Sequence, residues 1–148
     1  MPYWRLFYHI VWATRDRLPL ITPEIEVEVH RQVRFAAQRS QVLVHAIGGT
    51  TDHIHLVGSI PPSVAVATAV GRIKGGSAHA LNRLLGSTTF GWQAEYGVVS
   101  LGERHLSRVV AYVHDQPRRH ATRDLWAVLE RVDQDSTEPS QRDNVSRL

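Results

Sequence analysis

Two histidines separated by a single residue are the first feature of the sequence that suggests chemistry. His53 and His55 lie in HIHLVGSI (53–60), an apolar and β-branched stretch that predicts a strand. Side chains alternate across a strand, so both imidazoles leave one face while Ile54 points to the other. Neighbouring imidazoles suit a divalent metal. Because such pairs also arise by chance, this one by itself predicts only half of a metal site.

Tyr112 and Gln116 form a second candidate pair, four residues apart in a segment with helical periodicity. The apolar stripe of that segment comprises Leu106, Val109, Val110 and Val113. Tyr112 falls off the centre of the stripe, so the core pattern does not require it. A tyrosine hydroxyl can act as a nucleophile. A helical tyrosine beside a core face is more often a packing residue, however, and a lone glutamine is more often a surface amide.

Four strands and three long helices must position these side chains. Residue content and periodicity predict strands at 3–14, 41–49, 53–60 and 98–101, and helices at 23–39, at 61–84 and from 103 onward. The order strand, helix, strand, strand, helix, strand indicates an α+β, ferredoxin-like fold. Such an RRM-like palm has a four-stranded antiparallel sheet with helices on one face. The other face would then be free to hold a site.

Prolines mark the ends of the predicted helices. Thr22 and Pro23 predict an N-cap and a first helical position for the helix at 23–39. Pro117 must kink or end the third helix, because it lacks the N–H and clashes with the preceding turn. The residue before a proline is also pushed away from helical dihedrals, so helical geometry does not fix the direction of the Gln116 side chain. A further helical piece is predicted at 118–131.

The composition bounds the class of protein. A chain of 148 residues fits one main domain, expected at 1–131, followed by a polar tail at 132–148 that we expect to be disordered. The chain has no cysteine, no stretch of membrane-spanning length and a poor signal peptide, so we expect a cytoplasmic protein. Between Arg31 and Arg123, 11 Lys and Arg stand against 4 acids, which suggests a polyanionic partner. A GC-rich genome would also favour arginine.

Several segments carry a family resemblance in the right order. GTTDHIHLVGSIPPS contains an Asp-His-x-His-Leu segment followed by a proline-led helix, IKGGSAHALN a Lys-Gly-x-Ser segment, FGWQAEYGVVSL a Trp-Gln-x-x-Tyr-Gly stretch, and YVHDQPRRH a closing Tyr-x-x-x-Gln. Together with VWATRDRLPLITPE they resemble the single-tyrosine HUH transposases of small bacterial insertion sequences, including the REP-associated tyrosine transposases. The resemblance spans roughly residues 3–121, which makes it more specific than any single motif.

The resemblance implies an HUH transposase catalytic domain at 1–131 that nicks and rejoins single-stranded DNA with hairpin ends. Tyr112 would attack the scissile phosphate and form a 5′-phosphotyrosine. His53, His55 and Gln116 would hold one divalent ion, Mg or Mn. The resemblance also implies a homodimer with active sites shared between chains, in which the histidine pair of one chain meets Tyr112 of the other.

Residues near these motifs are candidates for DNA contacts: Lys74, Trp92, Arg118, Arg119 and His120. A lysine or arginine could bind phosphate, and a tryptophan could stack on an unpaired base. Each has an ordinary alternative, namely an exposed helical lysine, a solvated charge run or a packing tryptophan. Asp52 either orients an imidazole or closes the hairpin turn.

Three other functions stay open from the sequence. A domesticated REP-associated protein would bind or process chromosomal repeat hairpins without transposing. A ferredoxin-like RNA-binding module would need aromatic residues at alternate positions of its central strands, and QVLVHAIGG and HIHLVGSI have none. A small metallohydrolase would use the histidine pair with no covalent step, and a covalent protein–DNA adduct would exclude it.

Overall fold

The computed structural model describes residues 2–133 and contains one four-stranded antiparallel sheet. Its strands are β1 (Phe7–Ala13), β2 (Leu43–Gly49), β3 (His53–Ser59) and β4 (Gly97–Leu101). They lie in the order β2-β3-β1-β4, and each neighbouring pair is antiparallel. This is the ferredoxin-like order that the sequence predicts, and the fold class is confirmed. β1 begins later than predicted, because its pairing with β4 starts at Phe7 and its pairing with β3 starts at Tyr8.

Within residues 2–133, five α-helices accompany the sheet: α1 (Glu26–Arg39), α2 (Val66–Leu85), α3 (Leu106–His114), α4 (Gln116–Thr122) and α5 (Ala127–Glu130). α1 starts later than predicted because its first residues form a turn, in which the carbonyl of Thr22 accepts hydrogen bonds from Ile25 and Glu26. The side chain of Thr22 is not the N-cap that the sequence suggested. α2 likewise follows a separate turn at 61–64. No helix among residues 2–133 is long and apolar enough to cross a membrane.

Helices cover both faces of the sheet. On one face, α1 and α2 pack against apolar side chains of the central strands: Ile10, Trp12, Ile54 and Leu56. On the other face, α3 and α5 pack against Phe7, Ala46, Val57 and Leu101. We had expected the second face to be free, and it is instead covered by α3 and α5. Its central strands carry apolar residues on that side too, and burying them stabilises the fold by about 25 cal/mol per Å² of apolar surface.

Two glycines permit the close approach of the second helical layer. A Cβ atom at Gly48 of β2 would lie 2.0 Å from the carbonyl oxygen of Val113 in α3. A Cβ atom at Gly97 of β4 would lie 1.8 Å from the carbonyl oxygen of Arg131, directly after α5. Both obstacles are backbone atoms, which no side-chain rotation can remove. The docking of α3 and α5 on the sheet therefore depends on the absence of a side chain at these two positions.

Pro117 ends the third predicted helix and begins another. α3 stops at His114, Asp115 has non-helical dihedrals (φ −103°, ψ 16°), and α4 starts at Gln116 with the proline in its first turn. Tyr112 and Gln116 therefore lie on two helices and do not share one helical flank, contrary to our expectation. The domain boundary at 131–132 and the tail stay predictions, since residues 134–148 lie outside the described part of the chain.

Candidate active site

Each imidazole of the histidine pair is held through its Nδ1 atom. The Nδ1 atom of His53 lies 2.7 Å from Oδ1 of Asp52 and 2.9 Å from Oγ1 of Thr50. The Nδ1 atom of His55 lies 2.7 Å from Nε2 of His9, a residue of β1 on the same face of the sheet. Asp52 thus contacts an imidazole directly, one of the two roles that its position suggested. With both Nδ1 atoms engaged, the two Nε2 atoms are left to face a common space.

That common space is bounded by a carboxylate that the sequence analysis did not single out. Oε2 of Glu130, at the end of α5, lies 3.5 Å from Nε2 of His53 and 3.3 Å from Nε2 of His55. Neither contact has the geometry of a good hydrogen bond, so both buried Nε2 atoms lack a hydrogen-bond partner among residues 2–133. One ligand atom each from His53, His55, His120 and Glu130 lies within 4.8 Å of the others.

These donors fit a divalent metal ion. Two imidazole nitrogens, a third imidazole and a carboxylate oxygen are the ligand types of a first-row divalent cation, and a carboxylate also suits Mg. The unpartnered Nε2 atoms of His53 and His55 are the observation that supports this, because a buried polar atom without a partner is costly unless something else satisfies it.

Tyr112 lies beside the histidine pair and is fully buried. Its hydroxyl donates to Oε1 of Glu130 at 2.5 Å and accepts the backbone N–H of Trp126 at 3.1 Å. Its ring stacks on that of Trp126, with centroids 4.6 Å apart, and lies 6.0 Å from the ring of His55. Burial and the hydrogen bond to Glu130 raise the pKa of Tyr112 well above its usual value. The phenol is therefore held in its neutral form in this arrangement.

Glu130 is the charged centre of this cluster. Burial would raise its pKa, but the close approach of His55 and the hydrogen bond from Tyr112 outweigh burial and lower the pKa of Glu130 to about 2. Burial lowers the pKa of His55, against the carboxylate of Glu130, which raises it. Burial also lowers the pKa of His9 well below its usual value. Glu130 is thus an ionised carboxylate facing His55, whose imidazole burial favours in the neutral form, the form that binds metals.

Gln116 is fully buried, and its amide links Tyr112 to His120. Its Nε2 donates to the backbone carbonyl of Tyr112 at 3.3 Å. Its Oε1 accepts from Nε2 of His120 at 3.0 Å, and the ring of His120 lies 4.7 Å from that of His53. The oxygen that faces both Nε2 atoms of the histidine pair is therefore that of Glu130, while the oxygen of Gln116 reaches the cluster through His120.

The other predicted DNA contacts fall in two places. Arg119 lies at the site, with its guanidinium 4.8 Å from the ring centroid of Tyr112, while the exposed Arg118 pairs with Asp115. Lys74 and Trp92 line a separate groove of about 480 Å³ beside α2. There Lys74 Nζ donates to the carbonyls of residues 94 and 95, and Trp92 Nε1 donates to Ser77 Oγ at 3.0 Å. Both side chains thus hold the loop before β4 in place.

Three residues of the site were missed by sequence reasoning: His9, Trp126 and Glu130. The apolar residues around His9 gave no reason to distinguish it from the other histidines, and only the register of β1 on β3 brings it to His55. Glu130 and Trp126 lie in a segment predicted only as a helical piece. For Glu130, the sequence offered one weak signal of a role at the site: an acidic residue that follows the apolar residues of this segment.

The structure assembles Tyr112 and the histidine pair within one chain. The resemblance implied instead that Tyr112 meets the pair of a partner chain. A shared site is not needed to bring these groups together, because α3 docks on its own sheet through the close contact of Val113 with Gly48.

Comparison with known proteins identifies the family. Residues 2–116, most of the chain, match the family described as "Transposase IS200 like". The chain belongs to the IS200-like transposase family. The ISDra2 transposase TnpA of Deinococcus radiodurans is 23% identical over 121 residues, which cover 76% of this chain and 85% of that protein. The IS200 transposase of Salmonella typhimurium is 27% identical over 119 residues, which cover 76% and 78%.

Solved transposase structures share the fold. A structure of a REP-associated tyrosine transposase bound to a REP hairpin superposes with a TM-score of 0.61 at 15% identity, covering 81% of this chain and 74% of that one. A Deinococcus radiodurans structure described as a transposase has a TM-score of 0.62 at 21% identity, covering 78% and 95%. The match to the IS200-like transposase family ends at Gln116. His120, Trp126 and Glu130 lie beyond the matched residues, and their place beside the histidine pair is read from the structure.

Proposed function

We propose that this transposase nicks and rejoins single-stranded DNA through a covalent bond between Tyr112 and a 5′-phosphate, with a divalent metal at the histidine pair. One observation carries the proposal. The hydroxyl of Tyr112 and the Nε2 atoms of His53 and His55 converge on the two oxygens of a single carboxylate, that of Glu130. A group with two anionic oxygens, such as a phosphodiester, would fit between the same partners.

We assign the metal to His53, His55 and Gln116, with Glu130 and His120 within reach of the same space. When bound, Mg or Mn would polarise the scissile phosphate and neutralise the charge that develops on it. The imidazoles present their Nε2 atoms because Asp52 and His9 engage their Nδ1 atoms.

The covalent step balances without an added energy source. The Tyr112 oxygen forms a bond to phosphorus as the bond from phosphorus to the 3′-oxygen breaks. The net result is a 5′-phosphotyrosine, a free 3′-hydroxyl and the transfer of one proton from the phenol to the leaving oxygen. A phosphodiester is replaced by a phosphodiester, so the reverse attack by a 3′-hydroxyl can rejoin the strand without ATP.

The described arrangement is a closed one. Tyr112 is fully buried, with Trp126 stacked on its ring and Glu130 on its hydroxyl. A phosphodiester can reach the hydroxyl only when the segment that carries these two residues moves aside. We therefore propose that α5 is displaced when DNA binds.

We propose single-stranded DNA with hairpin ends as the substrate, in line with the REP hairpin bound by the structural relative. The proposed DNA contacts are Arg119 and His120 at the site, and Arg118, Lys74 and Trp92 farther away.

The assembly follows from what transposition requires. Two ends of a DNA segment must be cut to move it, which favours a homodimer. The resemblance implies active sites shared between the two chains, but Tyr112 already lies beside His55 of its own chain, so we propose that each site of the dimer is formed by one chain. Since the related transposases come from bacteria, we propose a cytoplasmic enzyme of a bacterium or archaeon.

The test is nicking of single-stranded hairpin DNA by the wild-type protein and by Tyr112→Phe. The variant should fold and bind DNA but form neither nick nor covalent adduct. Its free energy of unfolding should fall by about 2–4 kcal/mol, since the hydrogen bonds to the Glu130 carboxylate and from the Trp126 N–H are both lost. Full nicking by the variant would disprove the assignment of Tyr112 as the nucleophile. If the wild-type protein binds DNA but does not nick it in the presence of Mg or Mn, a domesticated protein that only binds DNA is favoured. An adduct on the 3′ side of the break would disprove the polarity.

A further inference from the structure

His9 is a buried polar side chain that the proposed reaction does not itself use. It lies in the central strand β1 and is fully buried. Its neighbours on the same face, Phe7 and Val11, are apolar, and an apolar residue here would avoid the cost of burying an imidazole. Nε2 of His9 lies 2.7 Å from Nδ1 of His55, while its own Nδ1 has no hydrogen-bond partner among residues 2–133. In the described structure, the hydrogen bond between Nε2 of His9 and Nδ1 of His55 is thus the side-chain hydrogen bond of this imidazole.

The same arrangement occurs at the other member of the histidine pair. His53 has its Nδ1 atom engaged by the carboxylate of Asp52, and His55 has its Nδ1 atom engaged by His9. Both leave Nε2 buried and facing Glu130 Oε2. Metal-binding imidazoles commonly have such a partner on the second nitrogen, which sets the ring orientation and the tautomer. His9 therefore occupies, for His55, the position that Asp52 occupies for His53.

The direction of the hydrogen bond between the two histidines decides what His55 presents to the site. A neutral imidazole carries hydrogen on one nitrogen and a lone pair on the other. If His55 donates from Nδ1 to Nε2 of His9, its own Nε2 bears the lone pair that a metal requires. If His9 donates instead, Nε2 of His55 carries hydrogen and points at Glu130 Oε2, 3.3 Å away. Only the first arrangement allows His55 to act as a ligand.

We propose that His9 is a positioning residue, which accepts the Nδ1 hydrogen of His55 and so holds the Nε2 lone pair of His55 toward the metal. This inference rests on the proposed function, because it requires a metal at the histidine pair. A hydrogen-bond acceptor at this point of β1 is the required property, and an apolar side chain of similar size would not supply it.

The experiment measures Mn²⁺ affinity by calorimetry on the full chain and on three variants. His9→Leu removes the acceptor, and we expect a loss of about 10–100-fold in affinity. His9→Gln places an amide oxygen near the position of Nε2 and should keep most of the affinity. The matched control is His45→Leu, since His45 bonds to Ser59 Oγ at 2.8 Å and contacts no proposed ligand. It should bind Mn²⁺ like the wild type. Nitrogen-15 NMR of the Zn²⁺-loaded protein should show His55 protonated at Nδ1.

The outcomes separate the inference from the function on which it rests. Wild-type affinity in folded His9→Leu, or an equal loss in His45→Leu, would overturn the role of His9. If the wild type does not bind Mn²⁺, or if His55→Ala binds it undiminished, the metal site itself is disproved. If His9→Leu does not fold, His9→Asn replaces it. The amide of Asn is one bond shorter than that of Gln, so Asn should lose the affinity that Gln retains, and equal affinity of the two would overturn the proposal.

Discussion

At the scale of single residues, the site depends on how each imidazole is oriented rather than on the histidine pair alone. An Nε2 atom can bind a metal only when its Nδ1 atom carries the hydrogen, and Asp52 and His9 are within hydrogen-bond distance of the two Nδ1 atoms. Gln116 differs, because its oxygen accepts from His120 in the described structure. This difference in geometry orders the expected contributions of the three proposed ligands.

Replacing each proposed ligand tests this order. His53→Ala and His55→Ala should each lower Mn²⁺ affinity by more than about 100-fold, beyond the range typical of a positioning partner, and abolish nicking. Gln116→Ala should cause a smaller loss, since an amide oxygen is a weaker ligand and already has a partner. Calorimetric titration of the three variants, with His45→Ala as the control, measures the order. A loss in Gln116→Ala as large as in the histidine variants would contradict it.

At the scale of elements, the short helix α5 decides whether Tyr112 can be reached. It brings Glu130 to the hydroxyl of Tyr112 and follows directly on Trp126, which stacks on the Tyr112 ring. Its position depends on Gly97 of β4, where a Cβ atom would collide with the backbone carbonyl of Arg131. The contact joins the end of α5 to the edge of the sheet, so a single methyl group there should displace the segment.

Gly97→Ala should therefore expose Tyr112. The added Cβ atom would lie 1.8 Å from a backbone oxygen, so the chain after α5 must shift. We expect faster amide hydrogen exchange in residues 126–131 and faster nitration of Tyr112 by tetranitromethane, read by mass spectrometry. Gly76→Ala is the control, because a Cβ atom there would meet its nearest neighbour at an ordinary 3.5 Å. Unchanged protection of Tyr112 in Gly97→Ala would show that α5 is not the cover.

At the scale of the whole molecule, Tyr112 lies beside the histidine pair of its own chain, and we propose that each site is formed by one chain. Mixing Tyr112→Phe with His53→Ala should restore no nicking, because every site of a mixed dimer would lack one of the two groups. Native mass spectrometry should first confirm that subunits exchange. Recovery of nicking would instead support active sites shared between chains, where one site of the mixed dimer keeps both groups. Absence of any dimer would leave the internal site intact and disprove the homodimer.

Histidines that are partly or fully buried also make the stability of the whole molecule depend on pH. Burial lowers the pKa of His9, His30 and His45 below the ordinary value of 6.5, so the unfolded chain binds protons that the folded chain does not. Their contribution to stability is present above pH 6.5 and is lost as the pH falls through that value. The melting temperature should therefore fall between about pH 7.5 and about pH 5.5, a window in which carboxylates stay ionised in both states. A melting temperature that rises on acidification would contradict this.

Local patterns in the sequence were enough to predict the four strands, the first two long helices and the fold class. The alternation of side chains in β3 correctly put His53 and His55 on one face, because that property belongs to a strand wherever it lies. Pro117 correctly ended the third helix, because a missing N–H and a ring clash act within one turn. The resemblance gave Tyr112 and Gln116 their expected roles. In the structure, Tyr112 lies beside His55, and Gln116 reaches the cluster through His120.

Tertiary structure alone decided what surrounds these residues. His9 reaches His55 through the register of β1 on β3. Glu130 reaches His53 and His55 through the docking of α5 on β4. Register and docking depend on contacts between residues far apart in the chain, including a bare backbone at Gly97. The covered state of Tyr112 has the same origin. Periodicity shows which face of an element is apolar, but it does not show which distant element will cover that face, because many apolar surfaces would bury it equally well.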